Sequence, residues 1–486
     1  MEGEGAGVQD LCEQCAEMAP EVRLDNVRQH IPGLDRMVPV IGGRQVPYVN
    51  LDNAATTPPF DTVIDCLSQF FQWYSSVHRG TGFKSLLSTH VYERCRDVVA
   101  GFIGADLSHH TLIFVQNATH ALNKLAMRVC SAQDHTVITT LMEHHSNLLP
   151  WRKLGCTVLY ARVDTADGSL DLADLQDKIS KNAGRLCLVT VSAASNVTGV
   201  IPPIRRIARM AHEAGALFAV DATQLVPHRT LQMGAADDPE RVDFAAFSAH
   251  KMYAPFGCGV LVGPRRVFEA GAPDIVGGGT VHAVTLEETI WAELPERDEA
   301  GTPNVLGAIA LATAARTLTS IGMDELAEHE RVLTRRALSA LKGLKGLTLY
   351  GQTDADMGQD RLGVITMNAA GFDHARLAAA LGYEHGIGVR NGCFCAQPYV
   401  RELLGVSEGQ MEEVLRRLAC GDHTGVPGMV RMSLGVYNTE QEVDQFVDAV
   451  RQVLTDGPHG NYVLDAAHHD YVPESPVCDL NTYAPF

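Results

Sequence analysis

A lysine flanked by apolar segments is poorly solvated, and the chain has one at Lys251. It lies in SAHKMYAPFGCGVL (248–261), just after Ser248 and His250 and before a glycine-containing turn into an apolar run. Burial there lowers an ammonium pKa and makes a neutral, nucleophilic amine accessible. A lone lysine is otherwise a solvated surface charge, so the surrounding residues decide. AVDATQ (219–224) places Asp221 at the end of an apolar run, where a carboxylate needs a partner. A protonated aromatic nitrogen would serve, its ring then drawing electrons from a substrate; capping of a helix is the alternative. QNATHALNKLA (116–126) opens a helix near Thr119, and a helix N-terminus suits a phosphate. Capping by Thr119 coexists with that use, and Ser248 and His250 could complete the phosphate cup. In MEHHSN (142–147), one imidazole of His144 and His145 could stack on a flat ring and move protons. Glu143-His144-His145 lacks the i, i+4 spacing of helical zinc ligands, so no metal site is expected.

These residues need a frame, and the pattern between them supplies one. TLIFV (111–115), TVITT (136–140), TVLYARV (157–163), LCLVTV (186–191), LFAVD (217–221), VDFAAF (242–247) and GVLVG (259–263) are short, continuous and apolar. Strands buried on both faces read this way. IRRIARMAHEAGA (204–216) repeats apolar residues at Ile204, Ile207, Ala208 and Ala211 and ends near Gly215, an amphipathic helix. Alternating strand and helix argues for a mostly parallel sheet with function at one edge, although periodicity leaves open whether later strands pair antiparallel. Beyond about residue 305, long helical stretches (305–321, then 323–344) lead to short strands near 347–350 and 363–367. Helices near 373–382 and 440–454 complete a smaller α+β domain. The tail from about 457 has no clear period.

The 486 residues carry 39 Lys+Arg against 58 Asp+Glu, a net charge of −19 that repels nucleic acid and anionic membrane alike. No run approaches the roughly 20 apolar residues that span a bilayer. The acidic N-terminus lacks the apolar stretch of a secretory signal. Twelve cysteines are scattered, many in apolar runs (Cys130, Cys156, Cys187, Cys258), as suits a reducing compartment. The cytoplasm is the expected location. Cys12-x-x-Cys15 and His468-His469-Asp470 are weak metal or redox signals, better read as packing or partner contacts.

Taken in order from LDNAATT (51–57) to RMSLGVYNT (431–439), these segments resemble the class V aminotransferase family of fold-type I, in its cysteine desulfurase branch of NifS- and SufS-like enzymes. EHH, SNVTG (195–199), DATQ, SAHK, GGGT (277–280) and GTPN (301–304) match segment by segment. The resemblance implies an α/β fold. An N-terminal segment (1–45) packs with the small domain, followed by a cofactor-binding large domain with a mostly parallel sheet (46–310). A small domain (311–456) and a tail (457–486) complete the chain. It implies pyridoxal 5′-phosphate on Lys251 as the Schiff-base lysine, Asp221 on the pyridine nitrogen, Gln224 on the ring hydroxyl, and His144 stacked as a proton shuttle. Thr119, Ser248 and His250 resemble the phosphate contacts, joined by Thr280 of a second subunit in a homodimer. Asn196 and Arg431 resemble the substrate-carboxylate clamp, for which a planar guanidinium is suited.

RNGCFCAQP (390–398) resembles the R-x-G-x-x-C-A-x-P loop of SufS-like desulfurases and puts Cys395 at the catalytic cysteine. A thiolate on a mobile, glycine-containing loop would attack the sulfur of L-cysteine, leaving alanine and a Cys395 persulfide for a sulfur-acceptor protein. Arg390 and His144 are candidates to help ionise it. Three departures bear on this. Cys393 stands where such loops commonly carry His, leaving two thiols, of which register favours Cys395. HRGTGFKS (78–85) lacks the His of the R-G-x-H-x-L-S motif. RNGCFC and TGVPGMVRMSLG (424–435) also resemble molybdenum-cofactor sulfurases, whose extra C-terminal domain has no room after residue 457. A related lyase, epimerase or selenocysteine lyase, for which Cys395 is not obligatory, and a non-catalytic sulfur-trafficking scaffold are the other readings.

Overall fold

In a computed structural model, which describes residues 22–129, 135–354, 360–422, 424–465 and 470–484, the seven apolar runs form one sheet. Its strands are β1 (His110–Val115), β2 (Thr136–Thr140), β3 (Thr157–Ala161), β4 (Leu186–Ser192), β5 (Leu217–Asp221), β6 (Phe244–Ser248) and β7 (Gly259–Pro264). They lie in the order β1-β7-β6-β5-β4-β2-β3. Six run the same way; β7 alone is antiparallel to both neighbours, β1 and β6. Alternate residues feed two cores. Leu112, Phe114, Ile138, Val189 and Phe218 face one, while Ile113, Val115, Val137, Leu188 and Ala219 face the other. The strands lack a polar face because both faces are covered.

Helices α1 (Asp61–Phe70), α2 (Phe83–Phe102) and α4 (Val305–Ile321) cover the first face, and α3 (Ala118–Val129) lies on the second. Among the described residues, no single helix is long and apolar enough to cross a membrane.

The smaller unit follows α4: α5 (Met323–Lys342), β8 (Leu347–Tyr350), β9 (Val364–Ala369), α6 (His374–His385), β10 (Arg390–Gly392), α7 (Gln397–Leu404), β11 (Met429–Ser433) and α8 (Glu440–Asp456). Its four strands form an antiparallel sheet in the order β8-β9-β11-β10 over a core that includes Leu333, Ile365, Leu377, Val430 and Phe446. The sequence pattern misses α7, β10 and β11, and also a helix at Glu408–Ala419.

Segment 49–52 ties the two units. Val49–Asn50 pairs parallel with Ile387–Gly388, and Asp52 bridges to Ser433. Near the N-terminus, a hairpin (Met37–Pro39 with Gln45–Pro47) leans on α6, where Ile41 N–H donates to Tyr383 O at 2.8 Å. The patternless tail contains a hairpin of its own, Tyr462–Asp465 with Asp470–Pro473. Glu384 of α6 accepts the backbone N–H groups of His459 and Gly460 and the Tyr462 hydroxyl, and Asn391 Nδ2 donates to Asp470 Oδ1 at 3.2 Å. Cys12, Cys15, Cys130, His468 and His469 lie outside the described residues.

Candidate functional site

Parallel strands deliver their C-terminal ends to one edge, and five of them open there into the loops that carry chemistry. β1 leads to Asn117 and Thr119, β2 to His144, β4 to Asn196, β5 ends on Asp221, and β6 leads through Ser248 to Lys251. β7 starts at the same edge, with Gly259 opposite both Val115 and Ser248. A Cβ on Gly259 would stand 2.5 Å from the Asn117 Cα, so only glycine lets β7 begin so close to the β1–α3 turn. A cavity of about 480 Å³ lies over this edge, walled on its far side by Arg390, Phe394, Cys395 and Arg431 of the smaller unit.

Lys251 is partly buried in the cavity, its ammonium pushed down to about 8, first by burial and then by the Arg431 charge, with Asp221 pulling the other way. Asp221 is buried, and its Oδ1 accepts the Thr223 N–H at 3.1 Å. His144 is pushed down to about 4, chiefly by burial, and so is neutral at pH 7. Its Nδ1 accepts the Ser146 N–H at 3.1 Å, which leaves the ring proton on Nε2. His250 is likewise pushed down to about 4 by burial and then by Lys251.

Asn117 caps α3, its Oδ1 accepting the His120 N–H, and the Ser248 Oγ accepts the Ala118 N–H at 2.8 Å. Thr119 and Ser146 share a hydroxyl hydrogen bond at 2.7 Å. Gln224 Nε2 donates to Ala54 O at 2.8 Å.

The opposite wall is an arginine pair. Arg431 and Arg390 stand directly across from each other on β11 and β10, an unfavourable juxtaposition of like charges. Asp52 resolves it: Oδ1 meets Arg431 Nη2 at 3.0 Å and Oδ2 meets Arg390 Nη2 at 2.8 Å. Arg431 Nη1 donates to Asn196 O at 3.0 Å, and the Phe394 ring lies 4.9 Å from its guanidinium carbon. Arg431 Nε is buried without a partner, as is Thr223 Oγ1, and both residues line the cavity.

Cys395 is exposed at the rim and lines the cavity; Cys393 packs against the large core, and burial pushes its thiol up. Both Lys251 and Arg431 feel the charge of a Cys395 thiolate. Two hydrogen bonds hold the cysteine loop here: Asn196 Nδ2 donates to Phe394 O at 2.7 Å and His145 N–H to Cys395 O at 2.6 Å.

Eleven of the twelve expected residues therefore share one cavity wall. Thr280 is the exception. It is fully buried, with its hydroxyl donating to Gly277 O at 2.8 Å, and does not line this chain's cavity. Asp52, Asn117, Ser146 and Phe394 were missed, and His145, weighed with His144 as a stacking imidazole, bonds the cysteine loop instead. Asp52 lies in LDNAATT, more than 300 residues before either arginine it bridges, so only the fold brings the three together.

The lining suits pyridoxal 5′-phosphate. It offers an amine held well below the ordinary lysine range, a buried carboxylate and a neutral imidazole, with hydroxyls at a helix N-terminus and a buried guanidinium N–H lacking a partner. Residues 49–446 match the family model described as aminotransferase class-V. The chain is similar to a cysteine desulfurase of Haloferax volcanii, 33% identical over 447 residues, covering 88% of this chain and 96% of that one. One of Enterobacter sp. (strain 638) is 35% identical over 439 residues, covering 88% and 98%. Among solved structures, the apo cysteine desulfurase of Thermococcus onnurineus NA1 superposes with a TM-score of 0.77 at 31% identity, covering 90% of this chain and 100% of that one. An Escherichia coli cysteine desulfurase in its S-sulfonic acid form gives 0.72 at 29% identity, covering 89% and 98%.

Proposed function

The chain belongs to the aminotransferase class-V family, and from that premise we propose that it is a pyridoxal-phosphate-dependent cysteine desulfurase. It converts L-cysteine to L-alanine and holds the sulfur as a persulfide on Cys395. The observation that carries this reading is Cys395 at the rim of the cavity that also holds Lys251, Asp221, His144 and Arg431.

When bound, pyridoxal 5′-phosphate supplies an aldehyde to engage amino groups and a pyridine ring to draw electrons from the substrate. The chain's residues do the rest. Lys251 gives an amine that is part neutral near pH 8. Asp221 would hold a proton on the ring nitrogen, and Gln224 would serve the ring hydroxyl. His144, neutral with its proton on Nε2, would stack on the ring and could donate or return a proton without first being charged. Thr119, Ser248 and His250, with the α3 N-terminus, would hold the phosphate. Arg431, through its unpartnered Nε, and Asn196 orient the substrate carboxylate. Cys395 Sγ, as thiolate, attacks the substrate sulfur; as the S–S bond forms the Cβ–S bond breaks, its electron pair stays with the carbon skeleton, and Cβ takes up a proton, so that the sulfur becomes the outer atom of the Cys395 persulfide and the skeleton leaves as alanine. Lys251 and Arg431 line the same cavity as the Cys395 thiol.

A homodimer is part of this reading. Val284, Leu286 and Ile290 on the hairpin Val281–Val284/Thr289–Trp291 are exposed, as are Phe83 and Leu86, and Arg79 Nη2 joins the two segments by donating to Val281 O at 2.6 Å. An apolar face of this kind suits a second copy.

Alanine and sulfide release from L-cysteine, measured with reductant, tests the proposal. Wild type and Cys393→Ser should turn over, while Cys395→Ala and Lys251→Ala should lose at least about 100-fold in rate. Full turnover by Cys395→Ala beside a dead Lys251→Ala would instead identify a lyase or selenocysteine lyase.

A further inference from the structure

The two neighbouring histidines of the β2 loop face different tasks, and only His144 is used above. Its neighbour His145 grips the cysteine loop from both sides. The His145 backbone N–H donates to Cys395 O at 2.6 Å, and its ring Nε2 accepts the Gln397 N–H at 3.1 Å. We propose that His145 is the positioning residue that holds Cys395 at the cavity rim, acting through the backbone on either side of the thiol.

The loop needs such a hold. Phe394 and Cys395 both adopt left-handed backbone angles, with φ of 53° and 55°, which L-residues rarely populate and almost never in succession. Conformations of this kind persist only where the surroundings over-determine them. Asn196 fixes the Phe394 carbonyl, and the Cys393 carbonyl accepts the Ala396 N–H at 2.8 Å. Beyond Cys395, the hold falls to His145.

The histidine is itself built on a rigid base. Buried Glu143 accepts the Thr140 hydroxyl at 2.6 Å, and the Ser192 hydroxyl and Asn147 amide, each at 2.7 Å. Asn147 in turn accepts the Thr190 hydroxyl and, through its carbonyl, the Trp151 indole N–H. The turn that presents His144 to the cavity thus presents His145 to the loop. For Nε2 to accept, the ring must be neutral; burial and the nearby Arg152 keep its pKa below the ordinary histidine value. The positioning role rests on the desulfurase reading for its catalytic consequence, though not for its structural one.

Two variants and two readouts test it. Gln at 145 keeps an acceptor near the Nε2 position, and Ala removes it. In His145→Ala, backbone hydrogen exchange across residues 393–397 should quicken by about 10-fold or more. Alanine formation should fall about 10- to 100-fold in kcat, with KM for L-cysteine changing less than about threefold and the cofactor absorbance retained. His145→Gln should restore both exchange protection and kcat to within about threefold of wild type. Unchanged exchange and kcat in His145→Ala would overturn the proposal, and so would a Gln variant no better than Ala. Exchange needs no turnover, so protection lost in Ala and regained in Gln upholds the clamp even in a protein that forms no alanine, a result that sinks the desulfurase reading alone.

Discussion

Asp52 holds together a wall that would otherwise push itself apart. Arg390 and Arg431 are register partners, and the single carboxylate between them bonds both. Arg431 is buried while Arg390 is half-exposed, so removing Asp52 leaves one buried charge uncompensated, at about 1–2 kcal/mol after solvent screening of the other. Asp52→Ala should therefore lower the urea midpoint and raise KM for L-cysteine, with Asp52→Asn retaining much of the stability; paired denaturation and steady-state assays check both. At this scale the sequence was readable wherever a residue sat in a motif beside its chemistry, as with Lys251 after Ser248 and His250. It was unreadable where meaning depends on pairing across the fold. Nothing within RMSLG or RNGCFC says that two arginines face each other, and so nothing said that Asp52 must lie between them. The choice between Cys393 and Cys395 likewise rested on register, and the structure separates them: Cys393 is half-buried against the large core, and Cys395 is exposed at the rim.

The seven strands were legible because continuous apolar runs bounded by polar loops have few other uses in a chain of this length. Their pairing was less so. The reversed direction of β7 leaves no trace in periodicity, since a strand buried on both faces looks the same run either way. Gly259 is the residue that reversal depends on, as it lets β7 begin against Asn117. Gly259→Ala should force the β1–α3 turn outward at about 2 kcal/mol, lowering the melting temperature and weakening retention of pyridoxal 5′-phosphate, both measurable on purified protein. α7 and β10 escaped notice because they are short, at 8 and 3 residues, and flank a loop whose chemistry drew the eye. The Glu408–Ala419 helix had a readable signal: Ser407 and Gln410 form a capping box.

Across the whole molecule, acid should undo the site before it undoes the core. His144 and His250 titrate near 4 in the folded chain against about 6.5 unfolded. The unfolded state therefore takes up protons first. The stability they contribute is complete above about pH 6.5 and is lost as pH falls toward 4. Glu143, pushed up to about 7 by burial, runs the other way, as do His78 and His212, raised by their carboxylate partners, while His110, His120, His145 and His385, lowered by burial, run with the first two. Denaturant midpoints measured from pH 7 to 4.5 should fall, and His250→Gln should flatten the slope. One further consequence follows from the tethered loop. If Cys395 carries the proposed persulfide, its outer sulfur would sit at the border between cavity and solvent, with the loop bonded to Asn196 and His145. Delivery would then be a matter of a collector bringing its nucleophile to that outer sulfur.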